Sequence, residues 1–371
     1  MDTLIYQIAL SLVKGIGPKL ARNIIAYLGS VEAFFEDKKL HLDKIPGIGE
    51  IIASSLNAAD KKELLNRAVI EVDFIRKNNL KTFFFADDNF PKRLSYCEDA
   101  PIIFYSNGNV NFDSQRMISI VGTRKPTDYG IAFCDKLINE LAQTYPETVI
   151  VSGLAYGVDI CAHRAALRNN LPTIAVLAHG LDRIYPGVHS QTAREMVSNG
   201  ALVSEFMTGT QPDKPNFVRR NRIVAGLSDA TIVIESAKKG GALITAGIAN
   251  SYNRDVFALP GRANDEYSTG CNRLIRNNQA NLLESVENIE YILGWERNPK
   301  NKVIQKSIFA QPDTPEEKAI IDILLVEKEI NLNILALQCG MPVGKVAANL
   351  LELEFKGLVK SCPGSIYKLI R

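Results

Sequence analysis

The sequence predicts an α/β protein whose central part is a doubly wound, Rossmann-like parallel sheet. Two observations predict it: short apolar runs that end in Gly or small polar residues, and intervening stretches long enough for crossover helices. The runs are MISIVG (117–122), TVIVSG (148–153), TIAVLAHG (173–180), ALVSEF (201–206), ATIVIES (230–236) and DVFALPG (255–261). We therefore expect a Rossmann-like DNA-binding domain over residues 81–295. A length of 371 residues leaves room for two further modules.

Residues 1–80 have the pattern of short helices separated by glycine-containing turns. The segments 12–25 and 42–56 each place an apolar and a basic residue before Gly-Ile-Gly and a helix. This spacing resembles the helix-hairpin-helix family, here as a tandem, SAM-like pair. Each central Ile should anchor its turn in the core, and the turn's backbone N–H groups could hold a phosphate oxygen. The possible DNA-binding residues are Lys14, Gly15, Gly17 and Lys19, with Arg22 adding charge.

The same hairpins are also compatible with a small helical domain that binds nothing. Glu50 stands where a phosphate would approach the second hairpin, so the first hairpin is the better candidate.

The C-terminal part contains a predicted linker, 296–315, and a predicted winged-helix domain, 316–371. The linker is polar and contains three prolines, whereas the domain shows three amphipathic helical patterns followed by two short strands around a Pro-Gly turn. The predicted recognition helix, 342–356, carries Glu352 and Glu354 as well as lysines. This acidity suits a protein partner better than a DNA major groove, although a winged-helix transcription regulator remains an alternative.

Composition excludes several classes of protein. Lys+Arg 43 against Asp+Glu 41 gives a net charge of +2, which does not exclude a nucleic-acid binder, because an average hides local patches. We expect no membrane segment and no signal peptide, since no apolar run approaches 18 residues and the N-terminus lacks a basic region. The six cysteines are scattered and the four histidines have no metal-ligand spacing. We therefore expect no metal, no cofactor and a reducing cytoplasm.

Four segments are expected at the carboxyl ends of the predicted strands, where ligands of open α/β sheets bind. In the first segment, Arg124 lies in the turn and either Thr127 or Asp128 can cap the following helix. In the second, Asp159 and His163 lie four residues apart on one helical face, as either a base–orienter pair or a helix-face hydrogen bond. The segments are VGTRKPTDYG (121–130), VSGLAYGVDICAH (151–163), FVRRNRIVAG (217–226) and ESAKKGGALITAG (235–247).

The third and fourth segments carry the clearest anion-binding features. Arg219, Arg220 and Arg222 crowd one helical turn, and their repulsion is more easily tolerated if a polyanion is the partner. The Gly240-Gly241 turn leads into a helix with Thr245 near its start, so its N–H groups could form a phosphate nest. Together the four segments predict a concentrated positive pocket in a nearly neutral chain.

The motifs SIVGTR, SGLAYGVDICAHRAAL, GLDRIYP, LVSEF, FVRRNRIVAGLSDATIVIES and GGALITAGIA…DVFALPG occur in register across 115–285. This series resembles the DNA-processing protein A family (DprA, also called Smf). The resemblance implies a non-enzymatic homodimer that binds and protects incoming single-stranded DNA during natural transformation and helps load the RecA recombinase.

Carried over by motif, the family's DNA pocket falls on twelve positions of this chain. One loop departs from the family, because Gly187 follows Tyr-Pro where many members have a basic residue; Arg183 could substitute. Phe217 and Tyr185 could stack on bases, although each is equally compatible with core packing. The twelve positions are Gly122, Thr123, Arg124, Ser152, Gly153, Arg219, Arg220, Asn221, Arg222, Gly240, Gly241 and Thr245.

The alternative on the same fold is a nucleotide-cleaving phosphoribohydrolase. Those enzymes carry a Pro-Gly-Gly-x-Gly-Thr-x-x-Glu signature, whereas the corresponding turn here, KKGGALITAGIA, has neither the Pro nor the Glu. Glu235 precedes the turn and is expected to order the loop or to pair with an Arg. We therefore expect a binding protein and no enzyme.

Overall fold

The computed structural model of the chain describes residues 2–36, 45, 47, 48, 53, 60–296 and 314–370. The main sheet in this part of the chain has nine strands. They are β1 (Lys81–Phe84), β2 (Ile103–Gly108), β3 (Met117–Val121), β4 (Val149–Ser152), β5 (Thr173–Val176), β6 (Gly200–Ser204), β7 (Ala230–Val233), β8 (Asp255–Ala258) and β9 (Asn281–Leu282).

The strand order is β1-β2-β6-β5-β4-β3-β7-β8-β9. The strands from β6 to β9 in this order are parallel, which confirms the predicted fold class, and each of the six predicted runs overlaps one of these seven strands. Strands β1, β2 and β9 were not predicted; β1 and β2 pair antiparallel at one edge, and β9 pairs parallel with β8 at the other. The β2 segment, IFYSNG, has polar residues in its second half, so its apolar run is too short to stand out in the sequence.

Helices cover both faces of the sheet. The helices of this module are α5 (Lys92–Ser95), α6 (Asp128–Thr144), α7 (Val158–Arg168), α8 (Ser190–Ser198), α9 (Lys214–Gly226), α10 (Gly241–Ser251), α11 (Thr269–Arg276) and α12 (Val286–Leu293). Met117 and Val121 point to the face covered by α9, α10 and α11, whereas Ile118 and Ile120 point to the face covered by α6, α7 and α12. This alternation explains why β3 is apolar throughout.

The N-terminal module has its own apolar core. Its described helices are α1 (Thr3–Leu12), α2 (Pro18–Leu28), α3 (Val31–Glu36) and α4 (Lys61–Lys77). Ile16 and Ile48 are buried in this core, as the hairpin pattern predicted. Most of the second hairpin, including Glu50, lies outside the described residues. The module is fixed to the sheet module by the buried carboxylate of Glu71, which accepts hydrogen bonds from Thr208 N and Oγ1 at 3.0 and 2.6 Å.

The C-terminal module has the predicted order of three helices and a hairpin, with one short strand that was not predicted. Its elements are α13 (Pro315–Glu327), β10 (Glu329–Asn331), α14 (Leu332–Cys339), α15 (Val343–Phe355), β11 (Val359–Cys362) and β12 (Ile366–Leu369). The three strands pair in the order β10-β12-β11. The turn of the hairpin reaches the sheet module, where Gly364 N donates to Asn253 O at 3.1 Å. Most of the predicted linker, residues 297–313, lies outside the described part of the chain.

Within the described ranges, no single helix is both long and apolar enough to cross a membrane. Only α14 and α15 taken together meet that length and composition, and these two helices are bent by 107°. All six cysteines are free thiols. Among the residues that the structure describes, no cluster of His, Cys, Asp and Glu has the arrangement of a metal site.

Candidate nucleic-acid interface

A cleft of about 1080 Å³ lies at the carboxyl edge of the parallel strands. Six cationic side chains line it, whereas Asp159 contributes the sole carboxylate among its described lining residues. Low-dielectric walls that carry one sign of charge focus the electrostatic field in such a cleft. The sequence therefore correctly predicted a local positive site in a nearly neutral chain. The six cations are Arg124, Lys214, Arg220, Lys238, Lys239 and Arg273.

The loop that follows β3 and carries Arg124 is held at both ends by Glu235. Thr123 N donates to the Glu235 carbonyl at 2.7 Å, and Thr127 N donates to its Oε2 at 2.8 Å. The Thr127 hydroxyl donates to Oε1 and also caps α6 by accepting from Gly130 N. Of the two residues expected to cap the helix, Thr127 is the cap, and of the two roles expected for Glu235, the structure shows that it orders a loop. Glu235 is 1% exposed, and both of its carboxylate oxygens accept hydrogen bonds from Thr127, so it fixes the position of the loop.

The loop that follows β4 is held by Asp159 and His163, which do not bond to each other, so the predicted base–orienter pair and helix-face hydrogen bond are both wrong. Asp159 Oδ2 accepts from Gly153 N at 3.2 Å, while His163 Nε2 accepts from Leu154 N at 3.3 Å. Burial lowers the pKa of His163 to about 3, so the ring is neutral and Nε2 can accept. Both side chains point back toward the strand end, where the loop amides need partners.

Arg220 forms the inner wall of the cleft. It is 4% exposed and donates to the carbonyl of Val176 at the end of β5. Its guanidinium packs directly on Gly153, where any Cβ would overlap it. Burial lowers the pKa of Arg220, while the carboxylate of Asp159 opposes that shift. Arg220 is thus a buried cation that braces two loops and contributes charge to the cleft.

Arg219 and Arg222 lie on a different side of α9, so the predicted convergence of three arginines on one site is wrong. Positions i and i+3 share a helix face, whereas position i+1 lies about 100° further round. Arg219 and Arg222 both donate to Glu205 Oε2, at 2.9 and 2.5 Å. They line a separate groove of about 690 Å³. Asn221, in contrast, lines the cleft beside Arg220.

The glycine turn before α10 brings backbone N–H groups to the cleft. Gly240 is the N-cap of α10 and provides no side-chain cap, and a Cβ there would overlap Ser236 Oγ. Gly241 has open space around it. Thr245 lines the cleft but is 2% exposed, and its hydroxyl donates back to Gly241 O at 3.4 Å. The turn therefore places the uncapped N-terminus of α10 at the cleft, while the Thr245 hydroxyl is committed to the helix.

Three other predicted residues, Ser152, Gly153 and Arg183, also lie outside the lining of the cleft. Ser152 is fully buried, and its hydroxyl donates to Ile120 O at 2.6 Å within the sheet. Arg183 pairs with Asp182 at 2.9 Å and donates to Gln211 at 2.8 Å. Ser152 thus supports the loop from within the sheet, and the side chain of Arg183 is committed to its neighbours.

The first hairpin lies away from the cleft and borders the groove of Arg219 and Arg222. Gly17 lines that groove, Gly15 has a φ of +87°, and Lys14 is exposed. Lys19 lies 3.8 Å from Glu98, and both side chains are largely exposed. Any contact of these residues with DNA would therefore form a second site.

Aromatic rings lie beside the cleft cations. Phe217 lines the cleft, and the guanidinium of Arg124 lies 5.5 Å from its ring centroid. The Tyr185 ring lies 6.1 Å from that of Phe217 and is 45% exposed. Tyr267, which the sequence reasoning missed, also lines the cleft.

Sequence reasoning also missed four of the cations. Lys238 and Lys239 lie within the segment 235–247, which was selected for its glycines, so their positive charges could have been recognised from the sequence. Lys214 precedes the arginine run by five residues, whereas Arg273 comes from α11, where no local pattern marks it. Of the twelve predicted positions, eight line the cleft: Gly122, Thr123, Arg124, Arg220, Asn221, Gly240, Gly241 and Thr245.

Comparison with known proteins gives matches for all three modules. Residues 81–293 match the family described as DNA recombination-mediator protein A, 309–365 match the DprA winged helix domain, and 8–59 match the SAM-like helix-hairpin-helix tandem. Protein Smf of Synechocystis is 32% identical and covers 98% of both chains.

Solved structures similar to the chain include two DNA processing proteins. DNA processing protein A from Streptococcus pneumoniae has a TM-score of 0.63 and 31% identity, covering 78% of this chain and 98% of its own. The protein from Helicobacter pylori, reported with insights into its single-stranded DNA binding mode, has a TM-score of 0.52 and 34% identity. The match covers 58% of this chain and 95% of that one. From the family match over more than half its length and the full-length Smf relative, the chain belongs to the DNA recombination-mediator protein A (DprA/Smf) family.

Proposed function

We propose that the cleft binds single-stranded DNA, and that the protein protects incoming strands during natural transformation and promotes RecA loading. The observation that carries the proposal is the charge of the cleft, six cations against one buried carboxylate. Neutralising phosphates releases condensed counterions, which supplies most of the affinity of non-specific nucleic-acid binding. The binding mode reported for the Helicobacter pylori relative supports the same ligand.

The rings in the cleft favour a single strand over a duplex. Phe217 and Tyr267 can stack only on bases that are not paired within a helix. In this arrangement Arg124, Lys238 and Lys239 neutralise phosphates, and the N–H groups at the start of α10 bind a phosphate oxygen. Asn221 is placed to hydrogen-bond a base edge or to brace the loop.

Binding without catalysis is supported by the carboxylates around the cleft. Asp159 accepts from loop amides, and Glu235 holds Thr127. Each carboxylate is thus hydrogen-bonded to the loop that it orders, whereas a hydrolase needs a carboxylate that faces its substrate. The proposed RecA contact and homodimer rest on family membership, and such a role places the protein in the cytoplasm.

The proposal is tested by the salt dependence of binding to a fluorescent oligothymidylate, measured by anisotropy. Arg124→Ala should weaken binding and reduce the salt slope by about 0.7, the value of one single-strand phosphate contact. The matched control is Arg168→Ala, because Arg168 ends α7 at the opposite edge of the sheet and is 57% exposed. If Arg124→Ala binds with the wild-type affinity and slope, the cleft is not the binding site.

A further inference from the structure

Two exposed tyrosines lie on the loops that follow β4 and β5, at the same edge of the sheet as the cleft. Tyr156 is 47% exposed and Tyr185 is 45% exposed, although an aromatic ring gains free energy when it is buried. The Tyr185 ring packs on one side against Phe217, which lines the cleft, with 6.1 Å between the ring centroids. The exposed surface of Tyr185 therefore continues the aromatic lining of the cleft.

Buried histidines hold the two loops in place. His179 Nδ1 donates to Gly180 O at 2.9 Å, and its Nε2 accepts from Tyr185 N at 3.2 Å. Burial lowers the pKa of His179, so the neutral ring can both donate and accept. His189 Nδ1 donates to Leu154 O at 2.8 Å, which ties the loop after β5 to the loop after β4. A ligand that contacts the tyrosines therefore need not order these loops first.

Tyr156 packs against the second of these histidines. Its ring centroid lies 5.2 Å from that of His189, with the ring planes inclined by 67°. His189 follows Tyr185 by four residues in the same loop, and Ala155, which precedes Tyr156, lines the cleft. The two tyrosines thus border one surface beside the cleft.

The loop after β5 presents rings and apolar surface rather than charge. Within 177–189, all of which the structure describes, Arg183 is the sole Lys or Arg. Its guanidinium donates to Asp182 at 2.9 Å and to Gln211 at 2.8 Å. Val188, in contrast, is 70% exposed. A DNA strand that crosses this loop would therefore be bound through its bases and not through its phosphates.

We propose that single-stranded DNA leaves the cleft across these two loops, where its bases stack on Tyr185 and Tyr156. Resting on the proposed binding of single-stranded DNA in the cleft, this path adds the direction of the strand. The strand runs from the loop after β7, which carries Lys238 and Lys239, past Phe217 to the loops after β5 and β4. Stacking tolerates any sequence, because every base has a π-face, and it requires unpaired bases.

Anisotropy with a fluorescent oligothymidylate of about 16 nucleotides tests this path. Tyr185→Ala and Tyr156→Ala should each weaken binding at least about fivefold, since stacking on one ring contributes this much or more. The dependence of affinity on salt should stay as in wild type, because no phosphate contact is lost. Tyr185→Phe and Tyr156→Phe, which keep the ring, should bind like wild type. Tyr291→Ala is the matched control, because Tyr291 is an 85% exposed tyrosine on α12, outside the cleft lining.

An added charge tests the same path without removing a ring. Gly187 does not have a positive φ, and a Cβ there would meet no atom within 4 Å, so the loop can accommodate a lysine. Gly187→Lys should add one phosphate contact, which raises the salt slope by about 0.7 and the affinity about three- to tenfold at low salt. Gly344→Lys is the control, because a Cβ at Gly344 in the winged-helix module also meets open space; this variant should change neither quantity.

The outcomes separate the path from the binding site itself. Circular dichroism checks that each variant is folded. Wild-type affinity in both alanine variants, or an unchanged salt slope and affinity in Gly187→Lys, overturns the path, and a loss in Tyr185→Ala alone overturns the part of Tyr156. If Arg124→Ala weakens binding while the tyrosine variants do not, the cleft binds DNA and the strand leaves it elsewhere. If Arg124→Ala also binds like wild type, the path and the proposed function both fail.

Discussion

At the residue scale, the site depends on contacts between backbone and buried charge. The guanidinium of Arg220 occupies the space that a side chain at position 153 would need, and it donates to the end of β5. Gly153 N is in turn held by Asp159. The glycine of the SGLAYG motif is therefore required by a close approach, since its backbone conformation does not have a positive φ.

Gly153→Ala should destabilise the protein by about 1–3 kcal/mol, because an added methyl group in a packed site forces its neighbours to move. Displacement of Arg220 should also weaken single-stranded DNA binding. Urea unfolding measures the first effect and anisotropy the second. Gly247→Ala is the matched control: Gly247 lies within α10, and a Cβ there would meet no atom within 4 Å, so alanine should stabilise by about 0.5–1 kcal/mol. Equal stability of Gly153→Ala and wild type would show that Arg220 moves without cost.

At the element scale, α9 shows what a sequence can and cannot predict. The strands and their carboxyl-end loops could be predicted, because apolar runs, glycines and caps are local signals. The direction in which each arginine points could not be predicted from charge alone. Helical spacing separates Arg220 from Arg219 and Arg222, and Glu205, from a loop 14 residues before Arg219, holds the latter two. Arg273 reaches the cleft from a helix that lies far along the chain, a contact that only the fold creates.

The two sides of α9 should therefore behave differently in DNA binding. Lys214→Ala should weaken oligothymidylate binding about three- to tenfold, because Lys214 lines the cleft. Arg219→Ala, on the Glu205 side, should stay within about twofold of wild type. Both are compared by anisotropy at one salt concentration. A larger loss for Arg219→Ala than for Lys214→Ala would move the DNA path to the groove that borders the first hairpin.

At the scale of the whole molecule, the charges are unevenly distributed although their sum is only +2. Cations gather at the carboxyl edge of the sheet, while the winged-helix module pairs Lys345 and Lys356 with its own carboxylates. The wing contacts the sheet module at Asn253, which precedes β8 and so lies at the amino edge, opposite the cleft. The contact of the wing and the cleft are therefore separated by the length of the strands.

Removal of residues 316–371 should therefore leave single-stranded DNA affinity within about twofold of the full chain, since a phosphate contact is local and charges beyond roughly 8–10 Å are screened. The truncated chain loses the hydrogen bond from Gly364 N to Asn253 O, but no residue of the cleft. Anisotropy with the same oligothymidylate measures the affinity, and urea unfolding checks that the shortened chain is folded. Arg124→Ala in the truncated chain should lose as much affinity as in the full chain, because the cleft is intact in both. A tenfold drop on truncation of a folded chain would mean that the C-terminal module contributes directly to the strand's binding site.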